Sequence, residues 1–221
     1  MIRSYRQFSG QNLVRLAALS DGIFAVAMTL LILNVHVPIA TVLHAEQPLW
    51  ADGSWQSEGQ LLSTLAPLAP QLLTYFMSFL TLGIFWAGQQ TQLNHFSRSD
   101  HRLTWIHLAF LLAVVLMPFS TALLAGYITY RLPMGIYWLN LLLLGVLLYV
   151  SLEYASHARL TSPETTEDIL HASKRRIVVY QILYAGACLL CVVNTYLAIA
   201  VLVLLQLNSV IVPPIPLLNR F

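Results

Sequence analysis

Charge is what this sequence has least of. Of its 221 residues only 9% are Asp, Glu, Lys or Arg, against 58% hydrophobic, and the mean hydropathy is +0.72. Soluble domains carry about 25% charged residues, so a soluble domain of ordinary size is excluded and the chain reads as an integral membrane protein. Cysteine is nearly absent too. The two present, Cys188 and Cys191, sit in an apolar run and read as small hydrophobes, not as a redox or metal pair. No Walker loop, Gly-rich nucleotide fingerprint, nucleophile elbow or H-E-x-x-H occurs, so nothing points to an enzyme. Nothing points to nucleic acid either. No cleavable signal peptide is expected, because the first apolar run exceeds an h-region of about 7–15 residues and contains Asp21.

What is present is a series of apolar runs, read as six spans in one domain over residues 1–221. They cover about Leu13–Val37, Gln71–Leu93, Leu103–Ala125, Pro133–Tyr154, Ile177–Val193 and Tyr196–Val212. A spanning helix needs about 20 residues, and the last two runs sit near the lower limit. The loop from Pro38 to about Gln60 holds Glu46, Asp52 and Glu58 and no base, and Leu61–Pro70 reads as a short interfacial lead-in interrupted by Pro67 and Pro70. With six spans, ten of the eleven basic residues fall on the side of the termini and only Arg131 opposite. The positive-inside rule then puts both termini in the cytoplasm. Trp50, Trp55, Trp86, Trp105 and Trp138 fall at or near span ends, as interfacial aromatics do.

The first span carries the polar residues that need explaining. Arg15, Ser20 and Asp21 lie near one end, Thr29 and Asn34 further along. An acid within a membrane helix costs about 2.5–3.5 kcal/mol on insertion scales, so it is kept for a partner or a pathway. On a wheel of about 100° per residue, Leu19, Gly22, Val26, Leu30, Leu33 and Val37 form one aliphatic stripe with Thr29 at its edge. Asp21, Ala25, Met28 and Ile32 gather on the far side, which is expected to face neighbouring helices. The aliphatic stripe fits either plain packing against helices or lipid, or an oligomer axis where hydrophobic rings gate ions by dewetting.

Other polar residues admit quieter readings. His95, His101 and His107 recur every six residues, which is not the spacing of a helical ligand pair, and they read as interfacial. His36 and His44 at the outer end of the first span could tune permeation with pH. Glu153 reaches the interface or pairs with Arg159, Pro118 kinks the third span with Ser120 or Thr121 near the freed carbonyls, and the run Glu164 to Arg176 is a solvated connector.

Arg15-Leu16-Ala17-Ala18-Leu19-Ser20-Asp21 resembles the R-x-x-x-F-S-D signature of the transmembrane protein 175 potassium channels, in their bacterial branch. The run Ile23 to Leu31, Ser78-Phe79, Phe85-Trp86 and Pro118 to Leu124 extend the resemblance. Leu19 replaces the signature's phenylalanine, and Gln89-Gln90 stand where many members have histidines. The resemblance implies an all-α homotetramer of six-helix subunits whose first helix lines a central pore. It implies no TVGYG filter, and no such stretch occurs. Val26, Leu30 and Leu33 would form the constriction, Thr29 the hydroxyl layer, and Arg15, Ser20 and Asp21 the helix-packing signature. The implied function is passive, leak-type potassium permeation across the bacterial inner membrane, with K+ the permeant ion, membrane lipid the surroundings and no cofactor or metal. The alternative is a proton-coupled transporter or proton-permeable pathway titrating on Asp21.

Overall fold

The computed structural model describes residues 2–38, 50 and 54–211, with side chains over 13–38, 50 and 55–210. The side chains of Arg3 and Arg6, and His44, Glu46, Asp52 and Arg220, lie outside the described residues. Seven α-helices are described: α1 (Ile2–Leu33), α2 (Ser54–Leu65), α3 (Leu68–Asn94), α4 (His101–Gly126), α5 (Arg131–His157), α6 (Glu167–Leu189) and α7 (Thr195–Ile211). A 3-10 turn, Leu190–Val192, joins α6 to the approach of α7.

Five of these are long and apolar enough to cross a membrane, not the six expected. Of the six expected spans, the one that fails is the last, α7, described over 17 residues. At 1.5 Å per residue it is about 25 Å long, short of a hydrocarbon core of about 30 Å. The fifth apolar run errs in the other direction. What read as a solvated connector from Glu167 onward is the first turns of α6, with Glu167 and Asp168 at its positive end. With its 3-10 turn this helix covers 26 residues. The lead-in expected at Leu61–Pro70 is instead α2, which starts inside the polar loop and ends before Pro67.

The buried pair α4–α5 forms the centre of the bundle, with α1 on α4 and α3, α6 on α5, and α7 between α3 and α6. Phe24 and Leu31 of α1, Met77 and Leu82 of α3, Phe110 and Met117 of α4, and Tyr137 and Leu144 of α5 share one core. A smaller cluster at the end bearing α1's Leu16 joins Leu93, Phe96, Leu103, Leu152, Leu160 and Leu170. There Asp100 caps α4 through the Leu103 N–H (2.8 Å) and accepts the Tyr154 hydroxyl of α5 (2.5 Å). Helix α5 ends with Arg159 in the left-handed region (φ 52°), while Leu160 N–H returns to the Ala155 carbonyl at 2.9 Å.

Two side chains differ from their expected surroundings. Glu153 pairs with Lys174 (2.5 Å) and His157 (3.2 Å), not with Arg159. His107 is 1% exposed in the core of α4, not interfacial. Pro118 sits inside a continuous α4, and the Ser120 and Thr121 hydroxyls both donate to the Met117 carbonyl (3.0 and 2.8 Å). Asn140 of α5 braces the same turn. In the amide orientation that gives each atom a complementary partner, it donates to the Ala113 carbonyl (3.1 Å) and accepts the Met117 N–H (3.2 Å).

The first helix as a candidate pore wall

Over residues 13–33, helix α1 buries one narrow stripe and leaves most of its other residues exposed. Leu16, Ser20, Phe24, Ala27 and Leu31 are buried against α3 and α4. This is not the stripe the wheel assigned to packing, for Ala25 and Ile32 beside Asp21 are exposed. The inward stripe carries Ser20 one residue from the acid, so the acid lies at the edge of the contact, where longer side chains must reach it.

Two of them do. Trp86 Nε1–H and Gln90 Nε2–H of α3 both donate to Asp21 Oδ1, at 2.8 and 2.6 Å. These are charge-assisted bonds, shorter and stronger than neutral ones. Beside them Ser20, fully buried, donates its hydroxyl to Gln89 Oε1. The Gln89 amide approaches His107 Nδ1 of α4 (3.5 Å), whose Nε2 meets the Ser151 hydroxyl of α5 (3.1 Å). One polar chain therefore crosses four helices, α1–α3–α4–α5. Arg15 is exposed and has no hydrogen-bond or ion-pair partner among the described residues. At its other end α1 is held by Asn34, which donates to the Pro118 carbonyl (3.2 Å), and by the His36 N–H on Gln71 (3.0 Å).

The aliphatic stripe faces outward from the bundle. Val26 is 58% exposed, Leu30 41% and Leu33 69%. Thr29, on the same side, donates its hydroxyl to its own helix at the Val26 carbonyl (2.8 Å). That commits the proton and leaves the oxygen lone pairs for a ligand. A groove of about 410 Å³ runs along Leu19, Gly22, Val26 and Leu30 beside Val115 of α4. Among the described residues no group of three or more His, Cys, Asp or Glu could hold a metal.

Sequence reasoning found Ser20 and Asp21 but missed their partners' division of labour. Gln89 serves the serine and Gln90 the acid. The imidazole in the network comes from His107, a residue whose regular six-residue spacing said nothing of its depth. A buried polar residue on an otherwise apolar helix face was the available signal.

The chain matches the family described as endosomal/lysosomal potassium channel TMEM175 over residues 15–118. It is 36% identical over 114 residues to a potassium channel of Streptomyces collinus, covering 52% of this chain and 48% of that one. A potassium channel of Chamaesiphon minutus is 32% identical over 114 residues, covering 52% and 50%. The chain thus spans about half the length of these curated relatives. The crystal structure of a lysosomal potassium-selective channel TMEM175 homolog from Chamaesiphon minutus has a similar fold. That likeness has a TM-score of 0.73 and 24% identity, over 90% of this chain and 97% of the other. The matched residues begin at Arg15 and take in the latch of Asp21, Trp86 and Gln90; over that part of its sequence the chain is similar to the TMEM175 potassium channels of bacteria, and its fold is like that of the Chamaesiphon minutus structure.

Proposed function

We propose that the chain is a potassium-permeable cation channel of a bacterial cytoplasmic membrane, built from four copies whose α1 helices surround a common axis. The observation that carries this reading is the exposed ridge Val26, Leu30 and Leu33. It runs along a helix whose opposite stripe and Asp21 edge are firmly tied to its own subunit. A helix anchored on one side presents the other in a fixed register, which a hydrophobic ring needs.

Rings of Val26, Leu30 and Leu33 narrow the path, and ions pass when the rings part far enough for water to enter. Thr29 oxygens replace part of the ion's hydration shell. Four hydroxyls offer fewer dipoles than a stack of carbonyls, so discrimination against sodium is modest. Arg15 carries its charge at the cytoplasmic end of the helix. With Arg220 outside the described residues, nine basic residues fall on the side of the α1 N-terminus and Arg131 opposite, a bias that supports a cytoplasmic N-terminus.

The test is the reversal potential of purified protein in planar bilayers under opposed potassium and sodium gradients at equal pH, with the subunit count read from the same preparation. A potential displaced toward potassium equilibrium with four subunits supports the reading. A potential that follows an imposed proton gradient instead supports the proton-permeable alternative.

A further inference from the structure

Between α3 and α6, with Leu148 of α5 and the described end of α7 in its wall, lies a cleft of about 590 Å³. Helix α7 lies beside it. It packs between α3 and α6 and hydrogen-bonds α3 through Gln206 Nε2 to Thr81 Oγ1 (2.6 Å). Its last turns reach the cavity at Ser209 and Val210, while α3 continues to Asn94.

The cavity is chemically graded. Towards the end that meets α7 its wall is apolar, with Phe79, Leu80, Ile84 and Val210. Towards the ends of the helices that carry the basic residues, its lining turns polar, with Arg176 and His95. Lys174 is neutralised by Glu153, whereas Arg176 has no anionic partner among the described residues and rests over the Tyr180 ring at 5.9 Å. Two amides in the wall are half-satisfied. Gln92, 4% exposed, donates to the Leu148 carbonyl (2.7 Å), and Gln181 donates to the Leu141 carbonyl (3.2 Å). The Oε1 of each is buried with no partner among the described residues. An unpartnered buried acceptor costs about 1–3 kcal/mol, so the site lacks a donor as well as an anion.

We propose that this cleft binds an anionic phospholipid with hydroxyl donors in its head group, of the phosphatidylglycerol kind. Its phosphate sits on the Arg176 guanidinium, a head-group hydroxyl donates to Gln92 Oε1, and an acyl chain lies along the apolar wall. Each chemical feature of the cleft then has a counterpart in one molecule. Basic pockets between membrane helices on the cytoplasmic side bind such head groups. A neutral choline lipid offers neither net charge nor a donor. The lipid would also touch Trp86, which lines the cavity and holds Asp21 of α1.

Native mass spectrometry of the delipidated full chain, titrated with palmitoyl-oleoyl phosphatidylglycerol, phosphatidic acid and phosphatidylcholine, tests this. The glycerol lipid is expected to be retained about fivefold over the choline lipid, the equivalent of ~1 kcal/mol for one basic residue at a membrane surface. Arg176→Gln abolishes that preference, and Gln92→Leu lowers phosphatidylglycerol to the level of phosphatidic acid. Gly83→Phe fills open space in the cavity wall, since nothing lies within 4 Å of a Cβ there. It lowers retention of all three lipids. Equal retention of charged and neutral lipid, retention of neither, or a preference that survives both Arg176→Gln and Gly83→Phe would overturn the proposal.

Discussion

The Ser20–Gln89 contact gives a sharp test of how α1 is anchored. Both residues are 0% exposed, and Gln89 also approaches His107. Ser20→Ala removes the hydroxyl donor and leaves Gln89 Oε1 buried and unpaired. In a soluble core that would cost about 1–3 kcal/mol. Within a membrane the reference state also finds partners, and measured interhelical bonds average about 0.6 with a ceiling near 1.7 kcal/mol. The expected loss for Ser20→Ala is therefore ~1 kcal/mol. Gln89→Leu strips partners from both Ser20 and His107 and should cost ~2 kcal/mol, two such bonds near the upper end of that range. If the two residues act through one another, the double variant costs little more than Gln89→Leu alone. The coupling energy is then ~1 kcal/mol, read from reversible unfolding in mixed detergent micelles. Strictly additive costs, or a neutral Ser20→Ala, would refute the network as an anchor.

Asp21→Asn keeps the shape of the latch but turns two charge-assisted bonds into neutral ones, which are about half as strong; stability in the same assay should fall by ~1 kcal/mol, and Asp21→Ala should cost more. Gly145→Ala puts a methyl where the Gln181 amide lies, 1.8 Å from its Nε2. The side chain must swing off the Leu141 carbonyl, with an expected loss of ~1 kcal/mol, and Gly145→Ala/Gln181→Ala should recover part of it. Arg159→Gly relieves a left-handed backbone conformation at the end of α5. It is expected to raise stability by ~1 kcal/mol, because a side chain there costs about 1–2 kcal/mol.

The length and polarity of the runs made α3, α4 and α5 legible, each starting and ending within three residues of the expected span. Where reading failed, the local signal described composition and the structure answered to geometry. The charges from Glu167 to Arg176 read as a connector, yet a helix leaving a membrane keeps winding as long as its polar turns are solvated or paired, as Lys174 is with Glu153. The final apolar run was counted as a sixth span on composition alone, whereas the helix described there, α7, covers 17 residues. The wheel located the outward ridge of α1 but misjudged the buried stripe. It took the acid as the inward marker, whereas Ser20 is inward and Asp21 is reached from α3 by Trp86 and Gln90. Residue spacing placed His107 at an interface because it carries no information about depth; only the pairing with Gln89 and Ser151 does.

The account stands on Val26 facing the ion path, and a thiol placed there reports on it directly. In protein with Cys188 and Cys191 replaced by alanine, Val26→Cys is to be compared with Ile182→Cys, which is as exposed but lies on α6. Potassium flux into liposomes is measured before and after silver ion. Silver should block flux through the Val26→Cys protein and leave the Ile182→Cys protein unchanged. Flux through Val26→Cys that silver does not touch, in protein whose Thr29→Cys variant is equally indifferent, would contradict the placement of this ridge on the pathway.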